Sequence, residues 1–134
     1  MKTLQKVLLA GIILFAFACK KKEVPGKTVS ETLSAGSWKI NFYQVSTVDH
    51  TSEFNGYTLV FKTDNTLNAT NGSGTTAGTW SYDSNLLKFN ITIGSSTPLT
   101  NLSKDWLIVL MNDDEVIFDQ DSTVSVEELH IKKI

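Results

Sequence analysis

The sequence predicts an all-β protein, a small antiparallel up-and-down β-barrel of about eight strands with one short N-terminal helical turn. Two observations carry this prediction. From residue 37 onward, apolar and polar residues alternate with a period of two, which is typical of strands with one buried face. The alternating segments are mostly joined by short turns rich in Asn, Asp and Gly, and such turns place consecutive strands antiparallel.

Residues 1–18 are predicted to be a lipoprotein signal peptide. Lys2 and Lys6 form a basic start, and residues 7–18 are apolar and end in small residues, as in secretory signals. These twelve residues are too few to cross a bilayer, which needs about 20. We therefore expect the segment to direct export.

Cys19 is the single cysteine of the chain, so an exported form cannot make an internal disulfide. The segment from Phe15 to Cys19 resembles a lipobox of the looser type found in lipoproteins of the Bacteroidota, with Ala16 where Leu is usual. The resemblance implies fatty-acyl (palmitate) attachment to Cys19 and a lipid-anchored place at the cell outer membrane. Its periplasmic or surface face stays open. The alternative is an ordinary signal peptide that leaves a free thiol.

Residues 19–29 are predicted to form a lipidated flexible tether, and residues 30–134 the barrel domain. Pro25-Gly26 interrupts regular structure, and the lysines around it favour solvation. The mature chain would hold 10 lysines, no arginine and 14 acidic residues. This acidic balance argues against nucleic-acid binding, which needs a basic surface.

Ser30 is expected to cap the helical turn, which Gly36 would end. In the first strand, Trp38, Ile40 and Phe42 are expected to point inward. The sixth strand is apolar on both faces, so we expect another element to cover it. The last strand changes parity, which predicts a bulge near Glu127-Glu128. The predicted strands are residues 37–46, 57–62, around 67–69, 78–82, 86–91, 106–111, 115–119 and 126–133.

Gly36-Ser37-Trp38, at the start of the first strand, resembles the lipocalin signature. The pieces Tyr57–Phe61, Gly78-Thr79-Trp80 and Glu128–Ile131 extend the likeness to the lipocalin-like domains of Bacteroidota lipoproteins, over residues 30–134. The resemblance implies a barrel. Lipocalins carry an arginine over the motif tryptophan, and Lys132 or Lys133 would take that place here.

The interior of an eight-stranded barrel is either filled by its own side chains or holds one small ligand. The sequence leaves both possibilities open. We expect a non-catalytic, membrane-anchored barrel that binds a small apolar ligand or an envelope partner. The alternative is a structural or inhibitory accessory subunit of an envelope complex, with a solid, ligand-free barrel. The candidate ligand-binding residues are the large aromatic ones: Trp38, Phe42, Tyr57, Phe61, Trp80, Tyr82, Phe89 and Trp106.

No catalytic residue, metal ligand or cofactor is predicted. His50 and His130 have no histidine or cysteine at metal-ligand spacing. The acidic groups at 113–115 and 119–121 would lie at opposite ends of a strand, which favours charged turns over a calcium site. Asp121-Ser122-Thr123 resembles the O-glycosylation motif of Bacteroidota, so Ser122 is a candidate modification site.

Overall fold

The structure is a computed structural model that describes residues 27–134. The predicted signal peptide, Cys19 and the tether up to residue 26 lie outside the described residues. Two 3-10 turns, Thr51–Phe54 and Leu99–Leu102, lie in the longer connections. The helix and strands are α1 (Val29–Ser34), β1 (Ser37–Val45), β2 (Val48–Asp49), β3 (Thr58–Phe61), β4 (Thr66–Asn71), β5 (Gly74–Asp83), β6 (Lys88–Ile93), β7 (Asp105–Met111), β8 (Glu115–Gln120) and β9 (Glu127–Lys133).

The sheet closes on itself. Its nine strands follow the order β2-β1-β3-β4-β5-β6-β7-β8-β9, and β1 also pairs with β9. All of these pairings are antiparallel. The two-residue β2 pairs with the end of β1 and is the one strand that the sequence did not predict. The predicted all-β, antiparallel, barrel-like fold with one short helix is confirmed.

The helix α1 begins after Thr28, not after the predicted cap Ser30. The Thr28 hydroxyl accepts a hydrogen bond from the Glu31 amide at 3.2 Å, and the Thr28 amide donates to the Glu31 carboxylate at 2.7 Å. This reciprocal pair is a capping box, and its bonds lower the pKa of Glu31. Leu33, fully buried, packs this helix against one end of the barrel, which we call the helix end.

A bulge in β1 reverses the expected direction of two aromatic residues. Ile40 pairs with Ile131, but Phe42 pairs with His130, so Asn41 is an extra residue in β1. Tyr43 therefore points inward and is 1% exposed, while Phe42 lies outside against His130, with 4.9 Å between ring centroids. The inward prediction for Phe42 is wrong. So is the bulge predicted in the last strand, because β9 keeps its register.

Two predictions around β6 and β7 also need correction. The predicted strand 86–91 would align Leu87 with Phe89 and Ile91, but Leu87 lies in the turn before β6 with φ of 55° and is exposed. Asp83 holds this turn, since its carboxylate accepts the amides of Asn85 and Leu86. In β7, expected to be covered on both faces, Val109 is an extra residue at a second bulge and is exposed together with Leu110.

Candidate functional site

The barrel interior is filled by aromatic rings that contact one another from end to end. Tyr43 meets Trp106 with centroids 6.5 Å apart, Trp106 meets Phe118 at 6.4 Å, and Phe118 meets Phe89 at 5.1 Å. Phe89 in turn stacks on Trp80 at 5.6 Å. These separations are those of packed aromatic pairs. The rings therefore form a continuous chain of contacts through the barrel interior.

Each of the three tryptophans also ties a neighbouring segment to the barrel. The indole N–H of Trp38 donates to the carbonyl of Leu33 in α1 at 2.8 Å, and that of Trp106 donates to the carbonyl of Leu102 at 3.0 Å. Trp80 donates to Lys62, between β3 and β4, at 3.1 Å. Because a buried indole N–H needs an acceptor, these bonds fix the orientation of the rings and of the segments that close the barrel.

A buried polar cluster, which we call the Glu127 cluster, lies at the end of the barrel opposite α1. Glu127 points inward and is 8% exposed. Its Oε2 accepts hydrogen bonds from the Tyr43 hydroxyl at 2.8 Å and from the Lys104 ammonium at 2.6 Å. The pKa of Tyr43 is raised well above its usual value. Burial of the phenol is the largest cause, and the hydrogen bond to Glu127 is the second. Lys104 also lies over the Trp106 ring, 5.5 Å from its centroid.

This cluster is not among the sites that the sequence predicts. A glutamate next to Glu128 at the start of a strand is typical of a solvated position, and its partners Lys104 and Tyr43 lie 23 and 84 positions away. The available signal was the parity of β9, in which Glu127 shares a face with Leu129 and Ile131. In this cluster one carboxylate accepts hydrogen bonds from two donors. None of the three residues has a buried side-chain nitrogen or oxygen that lacks a hydrogen bond. It is therefore suited to closing the barrel.

A cleft of about 500 Å³ lies at the helix end, between the start of α1, the end of β5 and the end of β7. Trp80 and the half-buried Tyr82 line it from β5, Met111 from β7 and Val29 from α1. Ser81, Ser84 and Asn65 add polar groups. An open pocket with aromatic, aliphatic and a few polar groups suits a small, partly apolar molecule. Two of the predicted ligand-binding residues, Trp80 and Tyr82, thus line this cleft, although Trp80 itself is buried and only 3% exposed.

The other predicted ligand-binding residues are distributed differently. Tyr57 is half-buried and contacts Phe54, with centroids 6.4 Å apart, and Phe42 lies on the outer face. The remaining four are inside the barrel and at most 2% exposed: Trp38, Phe61, Phe89 and Trp106. The structure therefore does not bring the eight residues together around one cavity.

The two histidines each lie beside carboxylates. His50 contacts Glu53, with 2.7 Å between Nδ1 and Oε1. His130 lies on the outer face of β9, with its Nε2 2.5 Å from Glu128 and its Nδ1 3.8 Å from Glu115. Neither arrangement includes a serine, threonine or cysteine nucleophile among the hydrogen bonds of the described residues.

The acidic turns are engaged by lysines. Asp113 pairs with Lys27 at 2.7 Å, and this contact lowers the pKa of Asp113. Asp121 pairs with Lys88 at 2.7 Å, and this contact raises the pKa of Lys88. Within residues 27–134, no three His, Cys, Asp or Glu side chains are grouped as ligands of a metal ion. Ser122, the predicted O-glycosylation site, is exposed in the turn after β8.

The fold and the filled interior define a small, barrel-like, all-β protein. No family model matches the chain, and no curated protein matches it. Among solved structures, it is similar to the crystal structure, at 1.00 Å resolution, of a DUF4847 family protein from Bacteroides vulgatus ATCC 8482. The TM-score is 0.60 at 15% sequence identity, over 78% of this chain and 96% of that one. At this identity the similarity concerns the fold.

Within residues 27–134, no helix is long and apolar enough to span a bilayer.

Proposed function

We propose that this protein is a lipoprotein of the bacterial envelope, anchored by acyl chains on Cys19, whose filled barrel is a non-catalytic support for binding on its outer surface. The continuous aromatic packing from Tyr43 to Trp80 supports this proposal. Because these rings fill the interior, we expect the protein to bind an envelope partner on its surface and not a ligand enclosed in the barrel. The protein then acts as an accessory subunit at the outer membrane, and the likeness to a Bacteroides protein agrees with such a source.

The lipid anchor rests on the sequence of residues 1–19. A basic start, a short apolar stretch and a single cysteine at its end are the features that lipoprotein processing requires. Several acyl chains on one residue hold a protein at a membrane without a spanning helix, because each buried methylene contributes about 0.8 kcal/mol.

A lipocalin-like origin of the barrel is part of the proposal. Its support is the environment of Trp38, at the start of β1. The indole N–H is bound to Leu33 of the preceding helix, and the Lys133 ammonium lies 5.4 Å from the ring centroid. Lys133 thus takes the place over the tryptophan where lipocalins carry arginine, while its stem packs beside Gly36.

A second candidate function is the binding of a small apolar molecule in the cleft at the helix end. The favouring observation is that Tyr82, Met111 and Trp80 line a cleft of about 500 Å³ that opens to the outside. In this case the aromatic packing still fills the barrel, and the ligand lies between α1 and the barrel mouth.

Fractionation of cells and native mass spectrometry test these functions together. Wild-type protein should remain with membranes after a high-salt wash, and Cys19→Ser should leave them. The domain purified from its own envelope should carry no bound small molecule, and gentle crosslinking should join it to one envelope protein. A stoichiometric bound mass that Tyr82→Ala removes would instead favour the cleft ligand. Recovery of uncrosslinked monomer would count against a partner.

A further inference from the structure

Four large aliphatic side chains are exposed at the helix end of two neighbouring strands, before the start of β6 and near the end of β7. Leu86 is 61% exposed, Leu87 58%, Val109 59% and Leu110 42%. Lys88 pairs with Leu107, so the two residues before Lys88 and the residues after Leu107 extend past this pair in the same direction. We call these four residues the aliphatic patch. Contiguous exposed apolar surface of this kind marks a site of contact with another molecule or a membrane.

The chain that leads to Cys19 leaves the domain at the same place. The ammonium of Lys27, the first described residue, lies 2.7 Å from Asp113 in the turn between β7 and β8. Asp113 follows Leu110 by three positions in the same hairpin, which separates them by at most about 10 Å at roughly 3.3 Å per residue. Cys19 precedes Lys27 by eight positions, and eight residues span at most about 29 Å.

This geometry limits how far the patch can be from the anchor. With Cys19 at the bilayer surface, the β7–β8 turn lies within one tether length of the lipid, and a further strand length separates that turn from the opposite end of the barrel. Tethering raises the local concentration of the patch at the bilayer, so even a weak apolar contact is populated.

We propose that the aliphatic patch is the membrane-contact surface of the barrel, whose four side chains enter the interfacial layer of the bilayer. The proposal rests on the lipid anchor at Cys19 proposed above, and it adds a defined orientation: helix end toward the membrane, Glu127 cluster away from it. The barrel surface beyond the helix end is then directed toward partners.

The charge of the domain decides which lipids the contact requires. Of the 12 lysines and 14 acidic residues, five lysines and one glutamate precede Lys27, which leaves residues 27–134 with a net charge of −6. The domain carries no net positive charge that would attract anionic headgroups, so the contact depends on apolar side chains. We expect it to form on zwitterionic lipid and to persist there at high salt.

The opposite end of the barrel offers a matched control. Val124 and Val126 are 94% and 76% exposed there, so they are at least as accessible as the aliphatic patch. If exposure alone decided membrane contact, side chains at both ends of the barrel would contact lipid equally. The proposed orientation predicts contact at the helix end and none at Val124 and Val126.

The experiment uses lipidated protein in phosphatidylcholine vesicles, with one added thiol carrying an environment-sensitive fluorophore. Leu110→Cys and Leu86→Cys place the probe on the two turns of the patch, and Val126→Cys places it at the opposite end. Because Cys19 carries lipid, the added thiol is the labelled one. We expect emission at 110 and 86 to shift to shorter wavelength and to be quenched by a lipid-borne nitroxide. Emission at 126 should resemble that in water.

Vesicle flotation, measured on the same samples, separates the two proposals. Protein that floats while the probes at 110, 86 and 126 all report water retains the anchor and overturns the membrane contact. A blue-shifted probe at 110 that the lipid quencher does not reach assigns the patch to contact with a second copy of this chain and also overturns the membrane contact. Protein that fails to float overturns the anchor, and the membrane contact with it.

Discussion

The hydroxyl of Tyr43 donates a hydrogen bond to Glu127 at 2.8 Å and so joins the first long strand to the last across 84 positions of sequence. The bond exists because Asn41 is an extra residue in β1 and turns Tyr43, instead of Phe42, toward the interior. Lys104 supplies the counter-charge at 2.6 Å. The bulge at Asn41 thereby provides the buried Glu127 carboxylate with one of its two hydrogen-bond donors.

Glu127→Ala should destabilise the fold by about 3 kcal/mol, because it leaves the Tyr43 hydroxyl and the largely buried Lys104 ammonium without their acceptor. Glu128→Ala is the matched control. Its side chain is 43% exposed and bonds His130, so its loss should cost less than about 1 kcal/mol. Urea unfolding of both variants measures the difference, and equal losses would contradict the assigned role of Glu127.

Tyr43→Phe should alter how stability depends on alkaline pH. In the folded protein the pKa of Tyr43 is raised, whereas an unfolded tyrosine loses its proton near pH 10. Above about pH 10 the unfolded chain therefore releases a proton that the folded chain retains, and the free energy of unfolding falls by up to about 1.4 kcal/mol per pH unit. The contribution is fully present below about pH 10.

Urea unfolding between pH 8 and 11 tests this sign. Tyr43→Phe should show a shallower decline than wild type, because it lacks the titrating group. Tyr82→Phe removes a tyrosine that does not contact Glu127 and serves as the control for loss of any phenol. Identical slopes for wild type and Tyr43→Phe would count against the buried contact.

Gly78→Ala should destabilise the fold by about 1–3 kcal/mol through overpacking. A Cβ at Gly78 would collide with the backbone oxygen of Thr92 and would lie 2.7 Å from Ile93 Cβ. Gly72→Ala is the matched control, since a Cβ there meets nothing within 4 Å. Thermal unfolding should rank the two variants clearly, and a neutral Gly78→Ala would show that β5 and β6 are not so closely packed.

Phe89→Ala should cost about 3–5 kcal/mol, because Phe89 is fully buried and contacts Trp80, Phe61 and Phe118. Phe42→Ala should cost about 1 kcal/mol, since Phe42 packs on the outer face against His130. Period-two alternation read from Trp38 predicts the opposite environment for Phe42. Chemical unfolding of the pair therefore tests the bulge at Asn41 as well as the filled interior.

The sequence predicted the fold class and the approximate position of eight of the nine strands, because alternation and turn residues are local signals. It could not predict which way Phe42, Leu87 and Val109 point. A bulge or an extended turn reverses the alternation of inward and outward residues, and no residue type at these positions indicates one. Asn41 and Val109 are ordinary strand residues by composition. Their positions depend on the register with neighbouring strands.

The candidate site was predicted less well than the fold. The aromatic residues were identified, but whether they fill the barrel or surround a ligand depends on distances such as the 5.6 Å between Trp80 and Phe89. The Glu127 cluster required three residues that are distant in the chain. Lys133, which lies over Trp38, is one of the two lysines that the resemblance to lipocalins implies for that place.

Intact mass spectrometry of the protein extracted from its own membranes tests the proposed lipid anchor. We expect a chain that begins at Cys19 and carries the added mass of acyl chains on that residue. A chain that begins elsewhere, or one whose Cys19 is a free thiol, would contradict it.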